Sequence, residues 1–316
     1  MNETRINIVC ATDDKYVPYC GVMLTSLFEN NKDGQVEVYI MIGKPLQEQN
    51  QKKIAALADK YGARISYCVV DNQFLEQFPI KRDSIDRWSI AIYYRLFAAE
   101  LLPNTVDKVL YLDCDIIIDG SIKELFDMDW EGMAVGAVPD MCTEWSEYYE
   151  RLAYDRSKGY FNSGVVLMNL DYWRDHNVGQ RCFNWLADNY DKVINPDQDA
   201  MNVVFADKKK TLPVTYNYQI QLRMPYFFNS FSKELKEDVL NTKHPVIIHY
   251  AAELKPWMAY YYSYPYNDVW HKYKRLSLWK DISDALPAKR KPIAFIKRYI
   301  LWPLGIKLKK PSFVNE

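Results

Sequence analysis

Through the first two-thirds of this 316-residue chain, short apolar runs alternate with segments of helical periodicity. That alternation leaves few ways to build a core. Strands are predicted at residues 6–10, 36–42, 63–70, 108–118, 134–138 and 164–169, and helices at 47–60, 92–102, 171–190 and 196–206. A further helix is predicted after the first strand: Pro18 suits a first helical turn, and Cys20, Leu24, Leu27 and Phe28 then share one face. Strands that read as near-continuous apolar runs are buried on both faces, which calls for helices above and below. The pattern predicts an α/β layer structure on a mostly parallel sheet. No internal repeat or low-complexity linker interrupts it.

Composition narrows the function classes. At 49% apolar and 26% charged residues, the chain buries a core large enough for one large domain or two small ones. Disordered, collagen-like and disulfide-stapled chains are excluded. A net charge of −1 gives no electrostatic case for nucleic acid. The 11 glycines form neither GxGxxG nor a Walker loop, which disfavours classical dinucleotide and P-loop sites. Cys10, Cys20, Cys68, Cys114, Cys142 and Cys182 form no CxxC pair and read as reduced thiols, several of them buried. The first apolar run is shorter than the core of a signal peptide, and no stretch has the length of a spanning helix. A cytoplasmic enzyme is expected.

The run 108–118 is the strongest strand signal and contains Asp113-Cys114-Asp115. In a strand, residues i and i+2 point to one side, so the two carboxylates are predicted to converge at a strand's carboxyl end, where open α/β sheets hold ligands. Paired carboxylates suit a hard divalent cation such as Mn²⁺ or Mg²⁺, which neutralises a phosphate. A solvated strand end followed by a turn is the plain alternative. Two anions at the edge of a buried sheet cost stability unless paired or coordinated.

Four further elements occur in order around that pair. Ile8 to Tyr16 is a strand ending in acids and then an aromatic; Phe161-Asn162-Ser163-Gly164 precedes an apolar run; Asn195-Pro196-Asp197-Gln198-Asp199 opens a helix; His249-Tyr250 is followed by Lys255-Pro256-Trp257. With these motifs, from about Ile6 to Trp257, the chain resembles the family 8 retaining glycosyltransferases, close in pattern to the bacterial lipopolysaccharide galactosyl- and glucosyltransferases. The resemblance implies a GT-A fold: a Rossmann-like, mostly parallel mixed sheet flanked by helices. It would occupy residues 1–270, leaving a small helical, basic and aromatic segment at 271–316.

The same resemblance implies roles. Ala11, Asp13, Lys15 and Tyr16 would hold the uracil and ribose of a UDP-sugar, with Tyr16 as the stacking surface. Arg95 would touch the donor's sugar or phosphate. Asp113, Asp115 and His249 would bind Mn²⁺ (or Mg²⁺), with Cys114 between the acids against the donor. Asn162, Asp197 and Gln198 would face the donor sugar, Asp140 would contact its hydroxyls, and Lys255 and Ala252 would lie at the diphosphate. Members carry glycine two residues after the tyrosine of the HYxG element; this chain has Ala252, which at positive φ costs about 1 kcal/mol. Gln198, Asp197 and Asp140 are the catalytic candidates. The implied reaction moves a galactose or glucose, with retention, from UDP-hexose to a saccharide or glycolipid acceptor of a cell-surface glycan.

Each residue also has a structural reading. His249 could be a core histidine, Arg95 a helix-face charge, Asp197 a partner of the helix dipole, and Asn162 a turn residue. Asn195, Pro196 and Gln198 have the spacing of a capping box. The aromatic run 257–266 is either a packed loop or a sugar-stacking acceptor surface. From Pro287 to Glu316 the charge is +7, leaving −8 on the rest. Interleaved with Ile293, Phe295, Tyr299 and Trp302, those charges suit an anionic membrane surface or a helix docked on the body. Competing classes are a HAD-type phosphatase, which also uses a strand-ending DxD, a catalytically silent UDP-sugar binding module, and a self-glycosylating protein of the glycogenin type.

Overall fold

Along β1 (Arg5–Ala11), Ile6, Ile8 and Cys10 enter one apolar cluster while Val9 enters another. β2 (Gln35–Ile42) and β4 (Lys108–Leu112) alternate in the same way, with Val38, Ile40, Leu110 and Leu112 on one side and Tyr39, Met41, Val109 and Tyr111 on the other. A sheet with apolar residues on both faces has to be covered twice. Helix α1 (Val17–Asn30) supplies Cys20, Met23, Leu24 and Leu27 to the first cluster, and α3 (Val178–Asn189) supplies Val178, Cys182 and Phe183 to the second. Helix α2 (Glu48–Tyr61) adds Ile54 and Leu57 to the first.

The computed structural model describes residues 5–71, 90–129, 132–251, 255–258 and 265–283. Its main sheet has seven strands in the order β3–β2–β1–β4–β7–β6–β8, where β3 is Arg64–Val69, β6 Val135–Pro139, β7 Phe161–Asn169 and β8 Lys209–Thr211. Strand β7 runs antiparallel to both neighbours, and the other pairs are parallel. This is the mixed, mostly parallel α/β sheet expected. A smaller sheet of β5 (Ile116–Ile118), β10 (Ile247–His249) and β9 (Tyr218–Gln219) lies beyond the end of β4.

Three expectations are corrected. Residues 108–118 are not one strand: the chain leaves the main sheet after Leu112 and re-pairs in the small sheet at Ile116, so Asp113, Cys114 and Asp115 form the crossing between them. Residues 92–102 form a 3₁₀ segment, Ile90–Phe97, followed by a single α turn, Ala98–Leu101. The long helix at 171–190 is broken between Leu170–Asp175 and α3, where Asn177 takes the left-handed conformation (φ 47°) that asparagine tolerates.

The expected boundary at 270 falls within helix α5 (Asn267–Leu276), and Trp270 and Trp279 are both buried in the core, so the packed body continues past it. All six cysteines are free, five of them buried. No helix among the described residues is long and apolar enough to cross a membrane. Ala252, most of the aromatic run 257–266 and the basic segment from Pro287 lie outside the described residues.

Candidate active site

Parallel neighbours β1 and β4 end side by side, so Ala11, Asp13 and the Asp113–Asp115 crossing share one edge of the sheet. The Cys114 thiol donates to the Ala11 carbonyl at 3.2 Å, joining the two strand ends. Asp13 closes its own loop, accepting from the backbone N–H groups of Lys15 at 2.8 Å and Tyr16 at 2.9 Å. Lys15 is exposed. Tyr16 is 45% exposed and stands edge-on to Trp257, the residue two after Lys255. An aromatic ring thus flanks the edge, as a base-stacking surface requires.

Antiparallel pairing of β5 with β10 sets Ile116 opposite His249, and the Tyr250 N–H donates to the Asp115 carbonyl at 3.0 Å. That pairing carries a histidine more than 130 residues away in sequence to the acid pair. One ligand atom from each of Asp113, Asp115 and His249 lies within 4.8 Å of the others. Two carboxylates and one imidazole suit Mn²⁺ or Mg²⁺ better than a soft metal. The strand-alternation argument did not foresee how the acids meet: they converge because the crossing folds back, not because they share a strand face.

Strand β7 passes beneath this group. A Cβ added to Gly164 would stand 2.8 Å from Oδ2 of Asp113 and 3.0 Å from Nδ1 of His249, closer still to the histidine's Cε1. Gly164 has no left-handed φ, so it serves here as space. The Asp113 N–H donates to its carbonyl at 2.9 Å. The donor set and this cradle both fit a divalent cation.

Behind the Asp113–Asp115–His249 group runs a buried hydrogen-bond circuit. His249 Nδ1 lies 2.9 Å from Oδ1 of Asn217, whose amide donates to Oδ1 of Asn162 at 2.9 Å. Asn162 and Gln198 both donate to Oδ2 of Asp140, at 3.0 and 3.1 Å. The Ser163 N–H donates to Oε1 of Gln198 at 2.9 Å, and the Ser163 hydroxyl to Oδ2 of Asp197 at 2.8 Å. Arg95 then links Asp197 at 3.1 Å to Asp113 at 2.9 Å, returning to the first group. Arg95 is 4% exposed, donates also to the Ser163 carbonyl, and lies over the Tyr111 ring at 4.2 Å. Lys255 lies against Oδ2 of Asp115 and donates to the Tyr250 carbonyl at 2.9 Å.

Charge and burial act differently on the two acids. Burial raises the Asp113 pKa, with Arg95 opposing and the Asp115 charge adding to it. Burial would also raise Asp115, but Lys255 and His249 outweigh it and hold that carboxylate well below its ordinary value. Burial alone would lower Arg95; Asp113 and Asp197 keep its guanidinium protonated.

The capping box expected at Asn195–Gln198 does not form. Asn195 makes no side-chain cap, and Gln198 turns into the circuit. Asp199 takes over: fully buried, it accepts from the Ile194 and Asn195 N–H groups, from both terminal nitrogens of Arg151 at 2.8 and 3.0 Å, and from the Tyr160 hydroxyl at 2.6 Å. It anchors the start of α4 (Pro196–Val204), which carries Asp197 and Gln198. Asn217, Ser163 and Gly164 were not foreseen as site residues. Only Gly164 left a signal, a glycine inside an apolar strand, which marks a close approach.

The sequence model of glycosyl transferase family 8 matches residues 7–260. The chain belongs to that family. It is accordingly a hexosyltransferase, in a family whose members retain anomeric configuration and typically use UDP-sugar donors and a divalent metal. A lipopolysaccharide 1,2-glucosyltransferase of Escherichia coli (strain K12) is 31% identical over 93% of this chain and 84% of its own length. A lipopolysaccharide 1,3-galactosyltransferase of Salmonella typhimurium is 26% identical over 94% of this chain and 86% of its own. The crystal structure of the galactosyltransferase LgtC in complex with donor and acceptor sugar analogues is similar, with a TM-score of 0.76 and 26% identity over 91% of this chain and 99% of that one. Family membership overturns the HAD-type phosphatase alternative.

Proposed function

We propose that this hexosyltransferase moves glucose or galactose from the corresponding UDP-hexose to a hydroxyl of a saccharide acceptor in cell-surface glycan synthesis. The observation that carries the reading is the circuit joining the cation-ligating group to Asp197, Gln198 and Asp140. Asp113, Asp115 and His249 would hold Mn²⁺, which when bound neutralises charge on the departing diphosphate as a Lewis acid. Ala11, Asp13, Lys15, Tyr16 and Cys114 line the edge where the nucleoside would lie. Lys255, beside Asp115, is the positive charge that would reach the diphosphate.

In this reading the acceptor oxygen bonds to the anomeric carbon as the bond from that carbon to the UDP oxygen breaks. The acceptor proton passes to the departing phosphate oxygen. Retention follows from attack on the face that UDP leaves. Asp140 is a poor candidate for a covalent nucleophile because its carboxylate already accepts from Asn162, Gln198 and the Cys142 N–H. Gln198 is held at both ends of its amide, which fixes a dipole rather than presenting a nucleophile. The basic, aromatic segment beyond Pro287 supports work at the cytoplasmic face of an anionic membrane.

Turnover of UDP-glucose, UDP-galactose and UDP-N-acetylhexosamines with Mn²⁺ tests the donor. An Asp115→Asn variant that stays folded yet loses metal-dependent turnover is the expected result. Full turnover in that variant, or no turnover of any UDP-hexose by the wild type, would overturn the reading.

A further inference from the structure

Beside the circuit the chain carries an aromatic cluster that the donor chemistry does not use. Two successive turns lead from Asp140 to it, the Thr143 N–H donating to the Asp140 carbonyl at 2.9 Å and the Trp145 N–H to the Cys142 carbonyl at 3.0 Å. The Trp145 ring stacks on Phe227 at 5.5 Å (11° between planes) and meets Tyr226 edge-on at 5.2 Å. Tyr226 is 72% exposed, and Trp145 and Phe227 are half-buried.

Both halves of the cluster are tied to the site. Tyr148, edge-on to Trp145 at 6.1 Å, is also edge-on to Tyr160 at 5.1 Å, whose hydroxyl donates to Asp199, the residue after Gln198. On the other side, Gln219 accepts from the Met141 N–H at 2.9 Å, and Gln221 holds the Ala251 carbonyl at 2.6 Å, just ahead of Pro225–Phe228.

A solvent-facing aromatic cluster tied by short turns and hydrogen bonds to a polar site suits a ligand surface. Its chemistry selects the ligand. Pyranose rings carry C–H groups on their faces and hydroxyls at their rims, and they pack those faces on aromatic rings. Of the charges flanking the cluster, Glu144 and Arg156 are paired with each other at 3.0 Å.

We propose that Trp145, Tyr226 and Phe227 form a stacking platform for the acceptor, holding a saccharide unit next to the one whose hydroxyl reacts at Asp140 and Gln198. The acceptor is therefore at least a disaccharide. This rests on the glycosyl-transfer reading, and the experiment separates the two.

Saturation-transfer NMR is run on the full chain with UDP and Mn²⁺, using lactose, maltose, cellobiose and, for comparison, glucose. At least one disaccharide is expected to bind better than glucose. Tyr226→Ala and Trp145→Ala should each weaken it by about tenfold, with Trp145→Phe retaining most of the affinity. Because the platform lies off the donor edge, hydrolysis of UDP-glucose or UDP-galactose without acceptor should stay within about twofold of wild type in Tyr226→Ala. Unchanged disaccharide binding in both alanine variants, or no disaccharide binding by the wild type, overturns the platform. Absent UDP-hexose hydrolysis by the wild type counts against the donor reading instead, while the binding comparison still decides the platform.

Discussion

Replacing Gly164 with alanine adds one methyl group where the cation-ligating side chains meet. That carbon would sit 2.8 Å from Oδ2 of Asp113 and 3.0 Å from Nδ1 of His249, against ordinary carbon contacts of about 3.5–4.0 Å. Neither neighbour can swing away freely, since Asn217 holds the imidazole at 2.9 Å and Arg95 holds the carboxylate at 2.9 Å. The imidazole, whose Cε1 is the nearest atom, has to move by about 1 Å to restore an ordinary contact, whereas metal–ligand distances tolerate about 0.2 Å.

Two effects on stability oppose each other. Glycine to alanine without backbone strain gains about 0.4–1 kcal/mol through the unfolded chain, and overpacking costs about 1–3 kcal/mol. The net runs from about zero to a loss of about 2.6 kcal/mol, and the protein is expected to stay folded. Mn²⁺ affinity should fall by about 10–100-fold, the range for disturbing a ligand's support. Electron paramagnetic resonance of free Mn²⁺ gives the affinity, and a metal-free thermal melt gives the stability. Gly136→Ala is the control, because its Cβ would meet only the tip of Leu212 at 3.2 Å. Wild-type Mn²⁺ affinity in a folded Gly164→Ala protein would refute the argument that this glycine makes room for the cation site.

Three other substitutions probe the surroundings. Asn217→Ala strips His249 Nδ1 of its buried partner, at about 1–3 kcal/mol, while Asn162 Oδ1 keeps the Gly164 N–H; Mn²⁺ affinity should drop with the melting temperature, and a drop in only one would separate support of the ligand from support of the fold. Asp199→Ala leaves Arg151 without its ion-pair partner, and denaturant unfolding should show a loss of about 3–5 kcal/mol, while a near-neutral result would deny that Asp199 anchors α4. Burial lowers Lys209 to about 8, so between about pH 8 and 10.4 the native state binds fewer protons than the unfolded one and stability rises with pH. Relative to Lys209→Met, the wild type should gain about 1–3 kcal/mol across that window, and parallel pH–stability curves for the two would contradict it.

What the sequence displayed follows from how far each interaction reaches along the chain. β1, β2 and β4 were legible because burial on two faces writes itself as an unbroken apolar run. The break inside 108–118 was not, because Ile116–Ile118 is as apolar as what precedes it and its partner is β10, more than 120 residues on. Asn195, Pro196 and Gln198 spell a cap locally. Ser163 and Asp140 claim Gln198 from other elements, and Arg151 fixes Asp199 in its place. Asn217 gave no local sign, since its two partners come from β7 and β10. Asp113, Asp115 and His249, and the residues around Gln198, carry distinctive types that drew attention in advance; the amide and hydroxyl groups that join them did not.

The balance of charge favours the proposed use of a divalent cation at this site over further arginines. Asp113, Asp115, Asp140 and Asp197 bring four carboxylates into one network, and Arg95 and Lys255 bring two positive charges. A buried excess of negative charge is costly, and a nucleoside diphosphate would add to it. A further arginine would neutralise the acids permanently, as Arg95 does between Asp113 and Asp197. A divalent cation compensates the remaining two charges while leaving open coordination positions for phosphate oxygens. Under the proposed function the same acids would serve the free protein through Lys255 and the donor complex through the metal, and Lys255, rather than the Arg95 that bridges Asp113 and Asp197, would change partners when the donor arrives.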